Sequence, residues 1–495
     1  TTRSLCRGVA AAALALGAGT PAAAQLPFTF TVRAAEVQPG APGLQSFALA
    51  EADSLWLLVG GRRNGFHLTS SRQSTFPSQW ANDSLYVVDV AGARTWRAPL
   101  PARYRFLLRV NNMQYYQEGD TLYFVGGYGS NCDTDDRTCY QTYPNLTAIH
   151  VPSVVRGVQA RDARAIEAGI TTVQDERMRV TGGGLRKIGD TYYLVLGQNY
   201  DSIYKGAYTG KYTHQVRTFR IGRSADGAPS ILDYRAYVDP RGRDSASQWH
   251  RRDLNVVETV EPGGSVGIAV YGGVFTPNGG AWVNPMYVSD PPGADQATVS
   301  VDQRFAMRMS QYECAQVLMY DPVSRTMYTT LLGGISLWYY PEGTNRLVRS
   351  SGDNFLPWIQ AITTLARDRN GVTTEVVQPA SMQMPARLGA NAVFVPARNL
   401  ATWHGTHEVL DYSELPGGDR VLVGWMYGGI RATADQASQI TPTDANDTVY
   451  EVWLNRPPQP SRRRRASWDV GPSSGPLNAL AAEAGFTRRR RGLFR

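Results

Sequence analysis

Four consecutive residues, His250-Arg251-Arg252-Asp253, combine an imidazole, two guanidiniums and a carboxylate. Such a set can hold an anion through charge-assisted hydrogen bonds and can move a proton. Arg109 and Arg179 precede similar apolar segments and could add to the same positive field. Two other clusters carry potential metal ligands. His404-Gly-Thr-His407-Glu408 lacks the helical H-E-x-x-H spacing of a zinc protease and reads as loop. Asp133, Asp135 and Asp136 alternate as Ca2+ ligands do, without a complete twelve-residue Ca2+ loop. No cofactor is expected. Ca2+ at Asp133 and Asp135, or another metal at His404 and His407, stays as an alternative. Gly263-Gly264-Ser265-Val266-Gly267 matches G-x-S-x-G but falls in a predicted hairpin turn. A nucleophile elbow needs strand then helix, which excludes this match.

The elements that must position these residues repeat. Leu57-Leu58-Val59-Gly60-Gly61 is an apolar strand ending in a glycine pair, and the pair recurs at Gly126-Gly127, Gly272-Gly273, Gly333-Gly334 and Gly428-Gly429. A degenerate copy ends at Leu196-Gly197. Around each copy the chain alternates short β-rich runs with turn residues. These read as four antiparallel strands per unit and six units. In the second unit the first strand is placed at Phe106 to Val110. The sixth unit supplies three strands, and Phe28 to Arg33 is an orphan strand that can supply the fourth. Closing the ring this way leaves few free edges.

The first unit resembles the kelch-type β-propellers. Their double glycine, third-strand Tyr and fourth-strand Trp match Gly60-Gly61, Tyr86 and Trp96, whereas the other units keep the glycines and mostly lack the aromatics. The resemblance covers about Leu26 to Leu454 and implies an all-β, six-bladed propeller closed by its N-terminal strand. It says little about function, because function lives in sites grafted onto folds. Copper radical oxidases of this type need a Cys crosslinked to a Tyr, and Cys314, on an apparent strand, matches poorly. The sialic-acid mutarotases are compatible with an arginine-lined channel mouth, but no residue motif carries over.

Residues 1–24 read as a secretory signal: Arg3 and Arg7, an apolar run from Val9 to Leu16, and Ala22-Ala23-Ala24 before Gln25. The propeller spans 25–455, and 456–495 form an arginine-rich tail expected to be disordered. The net charge of +8 comes largely from the two ends. Residues 25–456 are nearly neutral, which argues against a nucleic-acid-binding globule. In the expected exported setting (periplasmic, cell-surface or secreted), Cys132 and Cys139 should form a local disulfide.

In a propeller the loops after the glycine pairs converge on one face. Here they are long and carry His67, Tyr200, Tyr204, Trp282, Trp338 and Tyr339. Two functions stay open. One is a non-catalytic recognition or scaffold module, binding a protein or glycan through this face, with the tail on an anionic surface or partner. The other is an enzyme or binder of an acidic sugar at a mouth lined by Arg109, Arg179, His250, Arg251, Arg252 and Asp253, with Glu313 as a further acid. The second requires those arginines to converge on an open pocket; the first predicts arginines committed to protein contacts and a plugged channel.

Overall fold

Each apolar strand run is buried on both faces, and that determines how the units assemble. In Leu55–Val59, Leu57 and Val59 enter one apolar cluster with Leu122 and Phe124 of the next unit. Trp56 and Leu58 enter another with Val395 and Tyr427 of the preceding one. A strand alternates its side chains between two faces, so a run apolar at every position suits a sheet packed between two others. At ~1.5–3 kcal/mol per buried large aliphatic or aromatic side chain, these interfaces hold the ring together.

The computed structural model describes residues 26–67, 75–134, 136–204, 210–242, 244–291, 293–351, 356–435 and 443–457. The leader 1–24, Asp135 and the tail from 458 lie outside the described residues. Six antiparallel sheets form the ring of a six-bladed β-propeller. From the channel outward, blade 1 is Ala48–Ala52, Leu55–Val59, Ser84–Asp89 and Arg94–Pro99. Blade 2 is Gln114–Glu118, Thr121–Val125, Asn145–His150 and Ile170–Gln174, and blade 3 is Gly184–Ile188, Thr191–Val195, Gln215–Arg223 and Pro229–Val238. Blade 4 is Asn255–Val260, Val266–Tyr271, Met286–Ser289 and Thr298–Val301. Blade 5 is Ala315–Asp321, Thr326–Ile335, Trp358–Arg367 and Thr373–Val377. Blade 6 is Arg387–Pro396, Arg420–Ala432, Tyr450–Asn455 and the N-terminal Thr29–Ala34. Among the described residues, no helix is long and apolar enough to cross a membrane.

The orphan strand closes the ring as expected. Thr29 pairs with Asn455 and Ala34 with Tyr450, antiparallel. Phe28, Phe30 and Val32 bury into the blade 5–6 cluster. The Gln378 amide clamps both backbone groups of Phe30, accepting from its N–H at 2.5 Å and donating to its carbonyl at 3.0 Å.

Two features depart from the sequence reading. Phe106 to Val110 is not a strand: Arg105–Leu108 forms one helical turn, and blade 2 begins at Gln114. A short apolar run cannot be told from a buried helical turn by periodicity. The sequence reads His404 to Glu408 as loop, yet the residues directly after it, Val409–Asp411, run parallel to Leu318–Tyr320 on the channel edge of blade 5, within the connection 397–419. The rejected G-x-S-x-G does sit in a hairpin turn, where the Glu261 N–H donates to the Ser265 carbonyl.

Candidate functional site

The glycine pair acts as a fastener between blades. The second residue of the pair donates its N–H to the carbonyl of a residue leading into the next blade: Gly61 to Val110 at 2.7 Å, Gly127 to Val180 at 2.9 Å, Gly197 to Arg251 at 3.1 Å and Gly429 to Leu44 at 2.8 Å. At blade 2 the first residue, Gly126, has φ +64°, and a Cβ there would collide with that same Val180 oxygen. This contact explains why glycine recurs there. In blade 3 the corresponding residue is Leu196, in the same left-handed conformation at φ +53°, so that copy departs from the motif in residue type but not in backbone.

Just beyond these fasteners, one residue per blade turns inward with positive φ: Ser46, Asn112, Gly182, Asp253, Glu313 and Asn391. In five blades it stands two residues before the innermost strand. Backbone hydrogen bonds link them around the channel mouth. The Asn112 N–H donates to Ser46 at 3.2 Å, Gly182 to Asn112 at 3.0 Å, Asp253 to Gly182 at 2.8 Å and Asn391 to Glu313 at 2.6 Å.

Their side chains form a second layer. Asn391 Nδ2 donates to Ser46 Oγ at 2.7 Å and to Gln45 Oε1 at 3.1 Å. Asn112 Nδ2 donates to Asp253 Oδ1 at 3.2 Å across blade 3. Glycine at 182 makes that reach possible, since a Cβ there would lie 2.6 Å from Asp253 Oδ1. The Asp253 and Glu313 carboxyls share a hydrogen bond, and burial, followed by the Asp253 charge, pushes the Glu313 carboxyl well above the usual range.

Below the ring lies a cavity of about 170 Å3, lined among others by Asn112, Gln114, Glu313, Gln316 and Asn391. Its floor includes Arg186 and Glu408, 3.4 Å apart. Glu408 belongs to the connection 397–419, which reaches every other blade as well as linking two strands of blade 6. Arg398 approaches Glu51 of blade 1 at 4.0 Å, and the His407 ring meets Tyr116 of blade 2 edge-on at 5.4 Å. Glu408 pairs with Arg186 of blade 3. In blade 4, Glu258 Oε2 accepts the N–H groups of His407 and Glu408 at 2.7 and 2.9 Å. Burial and the Glu408 charge push the Glu258 carboxyl up to about 7. The strand Val409–Asp411 completes the contact with blade 5. This insert plugs part of the channel; a groove of about 600 Å3 remains beside it on the side of blades 1, 2 and 6.

The arginines picked out in the sequence are bound to protein acceptors. Arg109 donates to Asp133 Oδ1 at 3.0 Å and to the Cys132 carbonyl at 3.1 Å. Arg179 binds Glu176 and the Thr142 carbonyl. Arg251 is fully buried and donates to the carbonyls of Gln248 (2.6 Å), Gly272 (3.1 Å) and Asn284 (2.8 Å). Arg252 binds Tyr204 Oη at 3.0 Å and lies 3.5 Å from Asp253. His250 stacks on Tyr212 at 3.6 Å and meets His214 Nε2 at 2.9 Å; burial pushes its imidazole down to about 4. Arg252, Asp253 and Glu313 gather at the mouth, whereas Arg109 and Arg179 are tied to the Asp133 loop and to Glu176.

The loop aromatics divide into two groups. Tyr200 and Tyr204 are buried with Tyr128, Tyr140 and Phe76, and His67 packs edgewise on Tyr204 at 5.6 Å. Trp282 is buried and donates to the His250 carbonyl at 2.6 Å. These residues pin the loops. Trp338 and Tyr339 are half-buried in a short ribbon paired with Val348–Arg349. Trp80, which the sequence reading passed over, is 44% exposed beside a groove of about 600 Å3 with Arg63, Asp83, Arg105 and Asp133. Only its position in the first long loop could have flagged it.

Cys132 and Cys139 form the expected disulfide. Asp133 accepts hydrogen bonds from Arg105 and Arg109, which hold its carboxyl low. His404 and His407 are exposed. No group of three or more His, Cys, Asp or Glu side chains stands ready to hold a metal among the described residues. The ring positions Ser46, Asn112 and Gly182 had one sequence signal, a recurring offset before the innermost strand, but their residue types vary too much to stand out; Asn391, inside its strand, lacks even that offset.

No protein-family model and no curated protein matches the chain. Among solved structures, one titled "Structure of YjhT" aligns over 83% of this chain and 100% of its own, with 10% identity and a TM-score of 0.42.

Proposed function

We propose that the chain is a non-catalytic recognition module that binds a glycan through its glycine-pair face. The observation that carries this reading is the groove between the first loops of blades 1 and 2, where Trp80 stands exposed beside Arg63, Arg105 and Asp133. An exposed indole offers an apolar face at low entropic cost, and flanking guanidinium and carboxylate groups can hydrogen-bond the hydroxyls of a stacked sugar ring. The competing reading, an acidic small molecule at the channel mouth, loses support because Arg109, Arg179 and Arg251 already serve protein acceptors and the mouth itself carries two carboxyls. Export is part of the proposal; a disulfide in a short surface loop suits an oxidising compartment. So is docking of the arginine-rich tail on an anionic surface.

A glycan array probed with the full chain, Trp80→Ala and Glu313→Gln tests the site. Binding to a neutral glycan should fall at least tenfold in Trp80→Ala and be unchanged in Glu313→Gln. Binding confined to acidic monosaccharides, lost in Arg252→Met and indifferent to Trp80→Ala, would overturn the proposal in favour of the channel mouth.

A further inference from the structure

The groove beside Trp80 is lined by three guanidiniums, Arg63, Arg105 and Arg109, and by two carboxylates, Asp83 and Asp133. Asp83 has its own cation in Arg97, 3.5 Å away and outside the lining. Asp133 comes from the Cys132–Cys139 loop and seats its carboxylate on two arginines of the helical turn that leads into blade 2. Arg105 Nη1 lies 2.7 Å from its Oδ1 and donates to its Oδ2 at 2.9 Å, and Arg109 Nη1 donates to its Oδ1 at 3.0 Å. Among the described residues no other carboxylate pairs with either arginine. Arg63 binds the Gln79 carbonyl at 2.9 Å and has no carboxylate there. The Arg109 side chain is 5% exposed and that of Asp133 is 61% exposed, so the cation is built into the wall while the anion on it meets solvent. A carboxylate this exposed adds little to stability through its ion pairs. It is nevertheless held in place. Cys132, the residue before it, is bonded to Cys139, donates its N–H to Ser130 Oγ at 3.3 Å and accepts from Arg109 at 3.1 Å.

We infer that Asp133 sets the selectivity of this groove: it is a built-in counter-anion that fills the anion site of Arg105 and Arg109, so that uncharged sugars are admitted and acidic ones turned away. The inference rests on the reading of the groove as the recognition site. Guanidiniums bind carboxylates and sulfates through charge-assisted hydrogen bonds. Here that capacity is taken by a carboxylate of the same chain, which competes as an intramolecular ligand. An incoming uronate or sulfate must displace Asp133 or lie against it, and a like charge at short range discriminates against the wrong ligand. A neutral sugar meets no such cost. Its hydroxyls can donate to the solvent-facing Asp133 carboxylate while its ring stacks on Trp80. With Asp133 made neutral, Arg63, Arg105 and the wall-embedded Arg109 would face the groove opposed only by Asp83, which is paired with Arg97, and the same groove would become an anion site.

Calorimetric titration of the full chain and of Asp133→Asn with sodium sulfate and sodium glucuronate, at constant ionic strength, tests this. Asp133→Asn should bind both anions at least tenfold more tightly than the unsubstituted chain, and adding Arg105→Met to it should abolish the gain. Both substitutions fall on side chains that reach solvent, so the variants should fold, and equal melting temperatures check that they do. Sulfate offers no face to an indole, so its binding does not depend on Trp80. Trp80→Ala on the glycan array therefore judges the recognition reading, and the sulfate titration judges the role of Asp133 separately. Equal affinity of the two chains for either anion, whether both bind it or neither does, or a gain that survives Arg105→Met, would overturn the inference.

Discussion

Replacing Gly126 with Ala should destabilise the ring by an amount the structure allows to be divided. Gly126 has φ +64°, and a Cβ there would fall on the Val180 carbonyl oxygen, far inside normal contact distance. The left-handed backbone alone costs a non-glycine residue ~1–2 kcal/mol. The carbonyl must also retreat, and it is the acceptor of the Gly127 N–H at 2.9 Å; weakening that hydrogen bond between blades 2 and 3 removes ~1 kcal/mol. The expected loss is therefore about 2–3 kcal/mol. Gly119 provides the control. It has φ +53° in a hairpin turn, with nothing within 4 Å of its would-be Cβ, so Gly119→Ala carries the backbone cost without the clash. Urea unfolding of both variants, followed by tryptophan fluorescence, should show a lower midpoint for each, with Gly126→Ala lower by the further ~1 kcal/mol. Equal midpoints would refute the account of the glycine pair as a fastener between blades.

Deleting residues 26–34 removes Phe28, Phe30 and Val32 from the blade 5–6 core and should lower the midpoint of the whole unfolding transition; a change limited to local proteolysis near residue 450 would refute ring closure as a global constraint. Arg251→Met should be costly whether or not any ligand is present. It orphans three carbonyls, those of Gln248, Gly272 and Asn284, at ~1–3 kcal/mol each, and thermal unfolding reads the loss. Glu258 makes stability depend on pH. Its folded carboxyl is pushed up to about 7, so the fold binds that proton more tightly than the unfolded chain does. This contribution is complete below about pH 4 and is lost as pH rises through about 7. The melting temperature should fall from pH 5 to pH 8, and Glu258→Gln should flatten the decline; an identical slope in the variant counts against the plug contact. Reducing Cys132–Cys139 opens a short loop and should cost about 2 kcal/mol, measured as a shift in unfolding midpoint with and without reductant.

The sequence by itself determined the blades. Runs such as Leu55–Val59 are apolar at every position, and a strand buried on both faces has no other pattern available. Glycine pairs mark where each run must stop with positive φ, and a three-strand sixth unit beside an orphan strand leaves one economical way to close the ring. The cysteine pair was equally plain, because the two positions lie only seven apart in sequence. Where side chains meet across blades was decided only by the tertiary structure. Asn112 and Asp253 are 141 residues apart in the chain and touch because Gly182, between them in the ring, lacks a side chain. Arg251 and Arg252 are neighbours in sequence, yet one is locked among carbonyls while the other faces an acid pair. The plug at Val409–Asp411 is three residues of parallel strand whose partner lies some ninety positions earlier, too short and too distant for any local periodicity to reveal. Local patterning reports burial, which is a property of each segment; a site reports convergence, which depends on how the closed ring brings its six blades around one axis.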